Sequence, residues 1–213
     1  MPRFAQHPDL APALANIFCE QYESLFKNAA FISTNNGQIT KSFELQGESY
    51  IIKRYPEKGP RANLRSLLGI SRAMNSFSKA VLLNRLGIQS PLHLFVARQI
   101  GIVRGTSFLI MIKSTGESLN SLILNHPDHP IPPKVITNLA AITHRIHQAG
   151  LVHGDLHSGN IFVLQNQAIE VIDLDNMRPN SKKQEKDRAR LLRSLESRPD
   201  LHQHLARALE SSL

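Results

Sequence analysis

Three side chains with oxygen atoms follow one another around a predicted turn and hairpin. Asn160 lies five positions after Asp155, and Asp173 lies thirteen positions after Asn160. Phosphoryl transfer uses such a set: one carboxylate orients the acceptor hydroxyl, while an amide and a second carboxylate hold magnesium on a triphosphate. Magnesium prefers hard oxygen ligands of this kind. The spacing therefore predicts phosphoryl transfer, with Asp155 at the acceptor and Asn160 and Asp173 at the metal.

The residues on either side of this turn predict the elements that hold it. A helix starts at Pro132-Pro133 and is ended by Gly150, and a hairpin of residues 161–174 follows the turn. Both elements are apolar next to the turn, so we expect its ends to be fixed in the core. A polar turn without chemistry is the alternative, but the agreement of several motif parts favours the catalytic interpretation.

Two histidines flank the predicted catalytic carboxylate. We expect His153 to support the loop by hydrogen bonding; His157 is assigned only a supporting place near it. Zinc binding is the weaker alternative, because a His-x-x-x-His spacing suits one face of a helix. Gly154 and Gly159 argue against a helix at this position.

The rest of the chain predicts segregated helices and strands, which indicates an α+β fold. A helix over residues 9–27 precedes a β-hairpin whose second strand carries Lys53 and is ended by Pro56 and Gly59-Pro60. Further predictions are helical pieces over 62–86, strands over 93–103 and 106–112 joined by a turn at Arg104-Gly105, and two C-terminal helices, the last capped by Asp200.

Length and composition place the chain among ordinary globular proteins. Its 213 residues are 41% hydrophobic, with no apolar run near the roughly 18 residues that span a bilayer. The N-terminal residues lack the unbroken apolar segment of a signal peptide. The single Cys19 cannot form an internal disulfide, so we expect a reducing cytoplasm.

The formal net charge of +8 is unevenly distributed. Residues 58–116 contain no Asp or Glu but nine basic side chains. A solvated basic face is one interpretation, and attraction of an anionic nucleic acid, lipid or glycan is the other. Nucleic acid is disfavoured, because the chain has no Trp, three Tyr and no stacking motif near the basic residues.

Four sequence features together resemble one known family. They are His153-Gly154-Asp155-Leu156-His157 at the loop, Ile172-Asp173-Leu174-Asp175 at the metal site, Ile52-Lys53-Arg54-Tyr55 around a lysine, and Ser71-Arg72-Ala73 entering the next helix. Segment 142–176 resembles the catalytic core of the protein-kinase-like superfamily. More closely, residues 37–195 resemble the bacterial lipopolysaccharide kinases, which are the Kdo and heptose kinases of the lipid A–core region.

This resemblance implies a two-lobed, ATP- and Mg2+-dependent kinase acting on a sugar hydroxyl of lipopolysaccharide core or a related glycolipid. One domain, 1–213, would comprise an N-terminal helix (about 9–27), a β-rich lobe (about 28–112) and a small helical lobe (about 113–213). Residues 110–114 would form the adenine hinge. The location implied is the cytoplasm, with peripheral contact at the inner membrane.

The resemblance also assigns roles to individual residues. Asp155 matches the catalytic acid/base, Asn160 and Asp173 match the metal ligands, and Lys53 matches the lysine that contacts the nucleotide phosphates. Asp175 matches an acidic position common in this branch, without a general role.

Two departures from the family pattern keep other functions open. No G-x-G-x-x-G precedes Lys53, and the helix after it has no carboxylate to pair with that lysine; Ser76 or a neighbour takes the place. Glu20, Glu23 or Glu117 would have to replace the carboxylate, or Lys53 is an ordinary strand lysine. The alternatives are a catalytically silent binding or regulatory module and a small-molecule phosphotransferase. The basic stretch argues against the latter, whose cationic acceptors call for an acidic pocket.

Overall fold

The computed structural model describes residues 3–58, 71–99, 104–126 and 130–210. The chain divides into two compact units, Met1–Val81 with Pro91–Lys113, and Leu82–Ser90 with Ser114–Leu213. Each unit has its own sheet structure, described in turn.

The regular elements of the first unit combine one sheet with two helices. In chain order they are β1 (Arg3–Gln6), α1 (Pro12–Asn28), β2 (Ala30–Asn35), β3 (Gln38–Leu45), β4 (Glu48–Lys58), α2 (Arg72–Arg85, whose last turn belongs to the second unit), β5 (His93–Gln99) and β6 (Arg104–Ile112). The six strands form an antiparallel sheet in the order β1-β5-β6-β4-β3-β2.

Strand alternation gives this sheet two apolar faces, each covered by one helix. Phe18 of α1 packs on Tyr50 and Ile52 of β4. On the opposite face, Tyr55 of the same strand packs with Phe77 of α2. Residues of β4 at even positions therefore face α1, and those at odd positions, Lys53 among them, face α2.

The hairpin predicted around Lys53 is present, but Pro56 does not end its second strand. Pairing between β3 and β4 stops at Ile39 and Arg54, whereas β4 continues to pair with β6 through Pro56 to Lys58. Proline is tolerated there because β3 no longer lies alongside to receive a backbone N–H. The Pro56 part of the prediction was wrong for this reason. The strand ends at Lys58, and Gly59-Pro60 lies outside the described residues.

The second unit is built around one long helix. Its elements are β7 (Glu117–Ser118), α3 (Leu119–Asn125), α4 (Pro133–Gln148), β8 (Leu151–Val152), β9 (Ile161–Val163), β10 (Ile169–Val171), β11 (Arg178–Pro179), α5 (Gln184–Arg193) and α6 (Pro199–Glu210). Helix α4 starts with a proline at its first turn, as predicted, and the chain reverses at Gly150, whose φ is +70°. Its apolar side is buried, and the helix packs on α6.

Several local predictions need correction. Arg104 and Gly105 are not a turn; they pair with Lys58 and Glu57 as the first residues of β6. Helix α6 begins at Pro199, so Asp200 lies inside its first turn and accepts hydrogen bonds from Arg198 instead of capping it. The helical pieces expected over 62–70 and the strand end over 100–103 lie outside the described residues.

Truncating the centre of the first unit should destabilise it strongly. Phe18 is fully buried between α1 and the sheet, so we expect Phe18→Ala to lower the free energy of unfolding by about 3–5 kcal/mol. Phe31→Ala is the matched control, because Phe31 is 64% exposed on the edge strand β2. Urea unfolding of both variants tests this, and equal losses would contradict the packing described.

Candidate active site

The segment that carries Asp155 is anchored on both sides by short strands. Before it, β8 pairs with β11, and Val152 of β8 is buried. After it, β9 starts at the buried Ile161 and pairs with both β7 and β10. Residues 153–160 therefore form a loop held at fixed ends. We call this segment the catalytic loop because of the role that we propose below for Asp155.

Asn160 connects this loop to the strand end that precedes Asp173. The side-chain Nδ2 of Asn160 donates to the backbone carbonyl of Asp155 at 2.9 Å. The backbone carbonyl of Asn160 accepts from the backbone N–H of Ile172 at 3.0 Å. Because a carbonyl can only accept, the Asn160 amide must present nitrogen to Asp155, which turns its Oδ1 away. The loop and the residue next to Asp173 are thus joined through Asn160.

Asp173 itself lies at a sharp change of backbone direction. Its φ and ψ are +58° and +57°, the left-handed conformation, and a short 3-10 turn of Leu174–Asn176 follows. Aspartate tolerates this conformation better than most residues. The turn also contains Asp175, a half-buried residue just beyond the proposed metal ligand.

His153 supports the other side of the same peptide. The fully buried ring makes a 2.9 Å hydrogen bond through Nε2 to the carbonyl of Ile172. Burial lowers the pKa of His153, opposed by the Ile172 carbonyl and by the carboxylates of Asp187, Asp173 and Asp155. A neutral ring donates this bond from Nε2, so His153 connects the start of the loop to the residue before Asp173.

His157 lies beside the carboxylate of Asp155. Its Nδ1 accepts from the backbone N–H of Gly159 at 3.1 Å, and its Nε2 is 3.9 Å from Oδ2 of Asp155. Among the described residues, no three or more His, Cys, Asp or Glu side chains are grouped to hold a metal ion. The zinc alternative for His153 and His157 therefore has no ligand set in that part of the chain.

Three residues that the sequence analysis did not single out hold the loop from one side. Asp187, Arg190 and Ser194 follow one another at i, i+3 and i+7 along α5 and its C-terminal cap, which places them on one face. Arg190 Nη1 donates to the carbonyl of Gly154 at 2.9 Å and to Oδ1 of Asp155 at 2.5 Å. Ser194 Oγ accepts from the backbone N–H of Ser158 at 2.9 Å.

Asp187 makes the contacts at the start of the loop. Its carboxylate accepts from the backbone N–H groups of His153 at 2.6 Å and Gly154 at 3.0 Å. His147 Nε2 lies 3.6 Å away, beyond hydrogen-bond length but close enough for attraction. Burial alone would raise the pKa of Asp187, but His147 and the two N–H groups outweigh burial and hold the pKa below its usual value.

Gly154 fits because only a glycine can take its conformation there. Its φ is +81°, and a Cβ atom would lie 2.7 Å from the carbonyl oxygen of Asn176. The close approach also places Gly154 beside Arg178, whose Nη1 donates to that carbonyl at 2.9 Å.

Lys53 belongs to the first unit, where its side chain is only 7% exposed. It shares its sheet face with the Ser76–His93 pair, in which Ser76 Oγ lies 3.3 Å from His93 Nε2. Burial lowers the pKa of His93 to about 4. The hydrogen bond to the Pro91 carbonyl opposes this shift, and the nearby Lys53 adds to it. The hydroxyl of Ser76 on helix α2 thus contacts His93.

Two of the three carboxylates expected to take the place of the helix carboxylate do not lie on the Lys53 face of the sheet. Glu20 and Glu23 are on α1, which covers the opposite face, and Glu23 accepts hydrogen bonds from Tyr22 and Gln99. This part of the prediction was wrong, because strand alternation places Lys53 away from α1. Glu117 belongs to the second unit.

Comparison with known proteins agrees with this arrangement of sheet, loop and hairpin. The sequence model of the lipopolysaccharide kinase (Kdo/WaaP) family matches residues 26–211. Two solved structures of WbdD have TM-scores of 0.53 and 0.54 and sequence identities of 17% and 16%; one is a complex with a kinase inhibitor. Each alignment covers 85% of this chain but 45% of the WbdD chain, so the protein spans less than half of those solved chains.

The fold and the loop define a protein-kinase-like architecture. Within that class, the chain belongs to the lipopolysaccharide kinase (Kdo/WaaP) family. This confirms the resemblance drawn from the sequence and the α+β, kinase-like fold class. No helix among the described residues has the length and apolarity needed to cross a membrane.

The charge of Asp187 should stabilise the protein in a pH-dependent way. At pH 7 we expect Asp187→Asn to lower the free energy of unfolding by about 3 kcal/mol, because two buried N–H groups lose an anionic acceptor. The folded pKa is below the unfolded value of about 3.9, so this stabilisation is complete above that value and is lost as the pH falls through the folded pKa.

Urea unfolding in steps from pH 7 to pH 3 measures both effects. The difference between wild type and Asp187→Asn should shrink below about pH 4. Asp9→Asn, which alters a carboxylate that is 87% exposed, is the control and should show a small difference at neutral pH. A difference for Asp187→Asn that stays constant over this range would contradict the role given to its charge.

Proposed function

We propose that this protein is an ATP- and Mg2+-dependent phosphotransferase that acts on a sugar hydroxyl of lipopolysaccharide core or a related glycolipid. Membership in the lipopolysaccharide kinase family supports the reaction class and the acceptor class. The observation that carries the assignment is the connection through Asn160, which joins the backbone of Asp155 to the residue before Asp173.

Asp155 is the residue that orients the acceptor hydroxyl. Its side chain is 32% exposed, so an acceptor can reach it while the loop backbone stays fixed. The carboxylate accepts a hydrogen bond from the hydroxyl and takes its proton as the hydroxyl oxygen bonds to the γ-phosphorus of ATP. The bond from that phosphorus to the bridging oxygen breaks in the same transfer, and ADP leaves. Since His157 Nε2 lies 3.9 Å from Oδ2, an imidazole ring borders the same side of the carboxylate.

Asn160 and Asp173 have the donor chemistry that a magnesium ion needs. One offers a neutral amide oxygen and the other an anionic carboxylate, and both are hard ligands. The hydrogen bond from Asn160 Nδ2 to Asp155 leaves Oδ1 as the oxygen for a cation. When bound, magnesium would neutralise charge on the transferring phosphoryl group.

Lys53 is the proposed contact of the nucleotide phosphates, and residues 110–114 are the proposed adenine hinge. The strand β4 fixes the lysine in register between β3 and β6, opposite Thr40 and Leu109. A lysine held this way places a positive charge on the α2 side of the sheet. Family membership supports ATP as the phosphoryl donor.

The acceptor is proposed to be anionic, which suits part of the basic stretch. Arg72, Arg85 and Lys113 are exposed, whereas Arg98 is buried in β5 and is not available to a ligand. Exposed cations attract the carboxylates and phosphates of such a glycolipid. We place the protein in the cytoplasm with peripheral contact at the inner membrane, where this acceptor is presented.

One observation favours a second candidate, a catalytically silent binding or regulatory module. Helix α2 carries no Asp or Glu, and its Ser76 pairs with His93. Kinase-like enzymes use a carboxylate on this helix to hold the phosphate-binding lysine. In the silent interpretation, this difference in helix α2 impairs nucleotide binding or turnover.

Transfer of phosphate from labelled ATP to core oligosaccharide tests the enzyme assignment. We expect wild type to transfer label in the presence of Mg2+, and Asp155→Ala to lower kcat by about 100-fold or more, because the acceptor hydroxyl loses its base. Glu196→Gln, which alters an exposed carboxylate in the same unit, serves as control and should transfer like wild type. A rate of label transfer by Asp155→Ala equal to that of wild type would contradict the role proposed for this residue.

A thermal-unfolding series with nucleotide separates the enzyme from the silent module. ATP with Mg2+ at about 100 times the dissociation constant should add roughly 2.7 kcal/mol to the free energy of unfolding. Asp173→Asn should remove the part of this gain that depends on Mg2+ and keep the part seen with ATP alone. Absence of any gain in wild type would favour the silent module.

A further inference from the structure

The guanidinium of Arg190 makes two contacts with the catalytic loop through a single nitrogen. Nη1 donates to the backbone carbonyl of Gly154 at 2.9 Å and to Oδ1 of Asp155 at 2.5 Å. The first contact is to a backbone that Asp187 also holds, through the N–H of Gly154. The bond to Gly154 therefore fixes the position of Arg190 relative to the loop independently of its contact with the carboxylate.

The two oxygens of the Asp155 carboxylate have different surroundings. Arg190 occupies Oδ1, and Oδ2 faces His157 Nε2 at 3.9 Å, too far for a hydrogen bond. An acceptor hydroxyl needs only one oxygen of the carboxylate. With Oδ1 held, rotation of the carboxylate about its Cβ–Cγ bond is restricted, and Oδ2 keeps a constant direction.

Stability does not account for this ion pair. The Arg190 side chain is 47% exposed and that of Asp155 is 32% exposed, and ion pairs at such exposure contribute little to the free energy of unfolding. Orientation of a catalytic group has a much larger effect on rate, since a displacement of about 1 Å can cost 100-fold. The contact thus matters more for geometry than for folding.

We propose that Arg190 is a positioning residue that fixes the Asp155 carboxylate through Oδ1 and leaves Oδ2 for the acceptor hydroxyl. This inference rests on the proposed function, in which Asp155 orients that hydroxyl. Arg190 reaches the loop because it lies one turn beyond Asp187 on the same face of α5, and Asp187 anchors that face to the loop.

The test uses the full chain with labelled ATP, Mg2+ and core oligosaccharide. We expect Arg190→Ala to lower kcat by about 100-fold with little change in KM for ATP, and Arg190→Lys to recover only part, since an ammonium lacks the planar donor geometry. Added guanidinium should restore part of the kcat of Arg190→Ala, whereas urea, which has a similar shape without charge, should not. Arg193→Ala, an exposed arginine on the same helix, should behave like wild type.

The outcomes separate this inference from the proposed function. If wild type transfers no label, the proposed function is wrong. In that case, crystal structures of wild type and Arg190→Ala test the inference, because an unchanged orientation of the Asp155 carboxylate in the variant would overturn it. With active wild type, an unchanged kcat in Arg190→Ala overturns the inference. A lowered kcat accompanied by a lowered unfolding temperature and no guanidinium rescue also overturns it, because the role is then structural.

Discussion

The geometry of the catalytic loop depends on one buried carboxylate. Asp187 accepts the backbone N–H groups of His153 and Gly154, which open the loop. Without it, each buried N–H would lack a partner at a cost of about 1–3 kcal/mol. Asp187 in turn could not remain ionised while buried without these donors and the nearby His147 ring. Loop and helix α5 therefore require each other, and this fixes where Arg190 and Ser194 come to lie.

Features encoded by adjacent residues could be predicted from the sequence. The loop between α4 and β9, the hairpin around Lys53 and the end of α4 at Gly150 follow from turn residues and apolar periodicity within short windows. Strands β1 and β2 gave no such signal. The sequence of β2, Ala30–Asn35, is exposed at every position, so it has no alternation between a buried and a solvated face.

The residues that hold the catalytic loop were missed for a different reason. Asp187 lies more than thirty positions after the backbone groups it binds, and an acid in the first turn of a helix is common for local reasons. The spacing of Asp187, Arg190 and Ser194 was visible as one helical face. Its meaning needed the tertiary contact, because the spacing shows that these side chains share a face with the buried Leu191 but not which backbone groups they bind.

The hydrogen bonds described for the loop join residues of the second unit. The backbone N–H of Ser158 donates to Ser194 Oγ, and Ser158 Oγ lies 3.4 Å from Asn120 Oδ1. His153 and Asn160 make hydrogen bonds to the backbone of Ile172. These contacts fix the backbone at Asp155 and at the residue before Asp173. A change at Lys53, Ser76 or His93 alters the electrostatics of the first unit, where burial keeps His93 neutral at pH 7. The proposed nucleotide contact and the proposed acceptor-orienting loop are therefore encoded in different units of the chain.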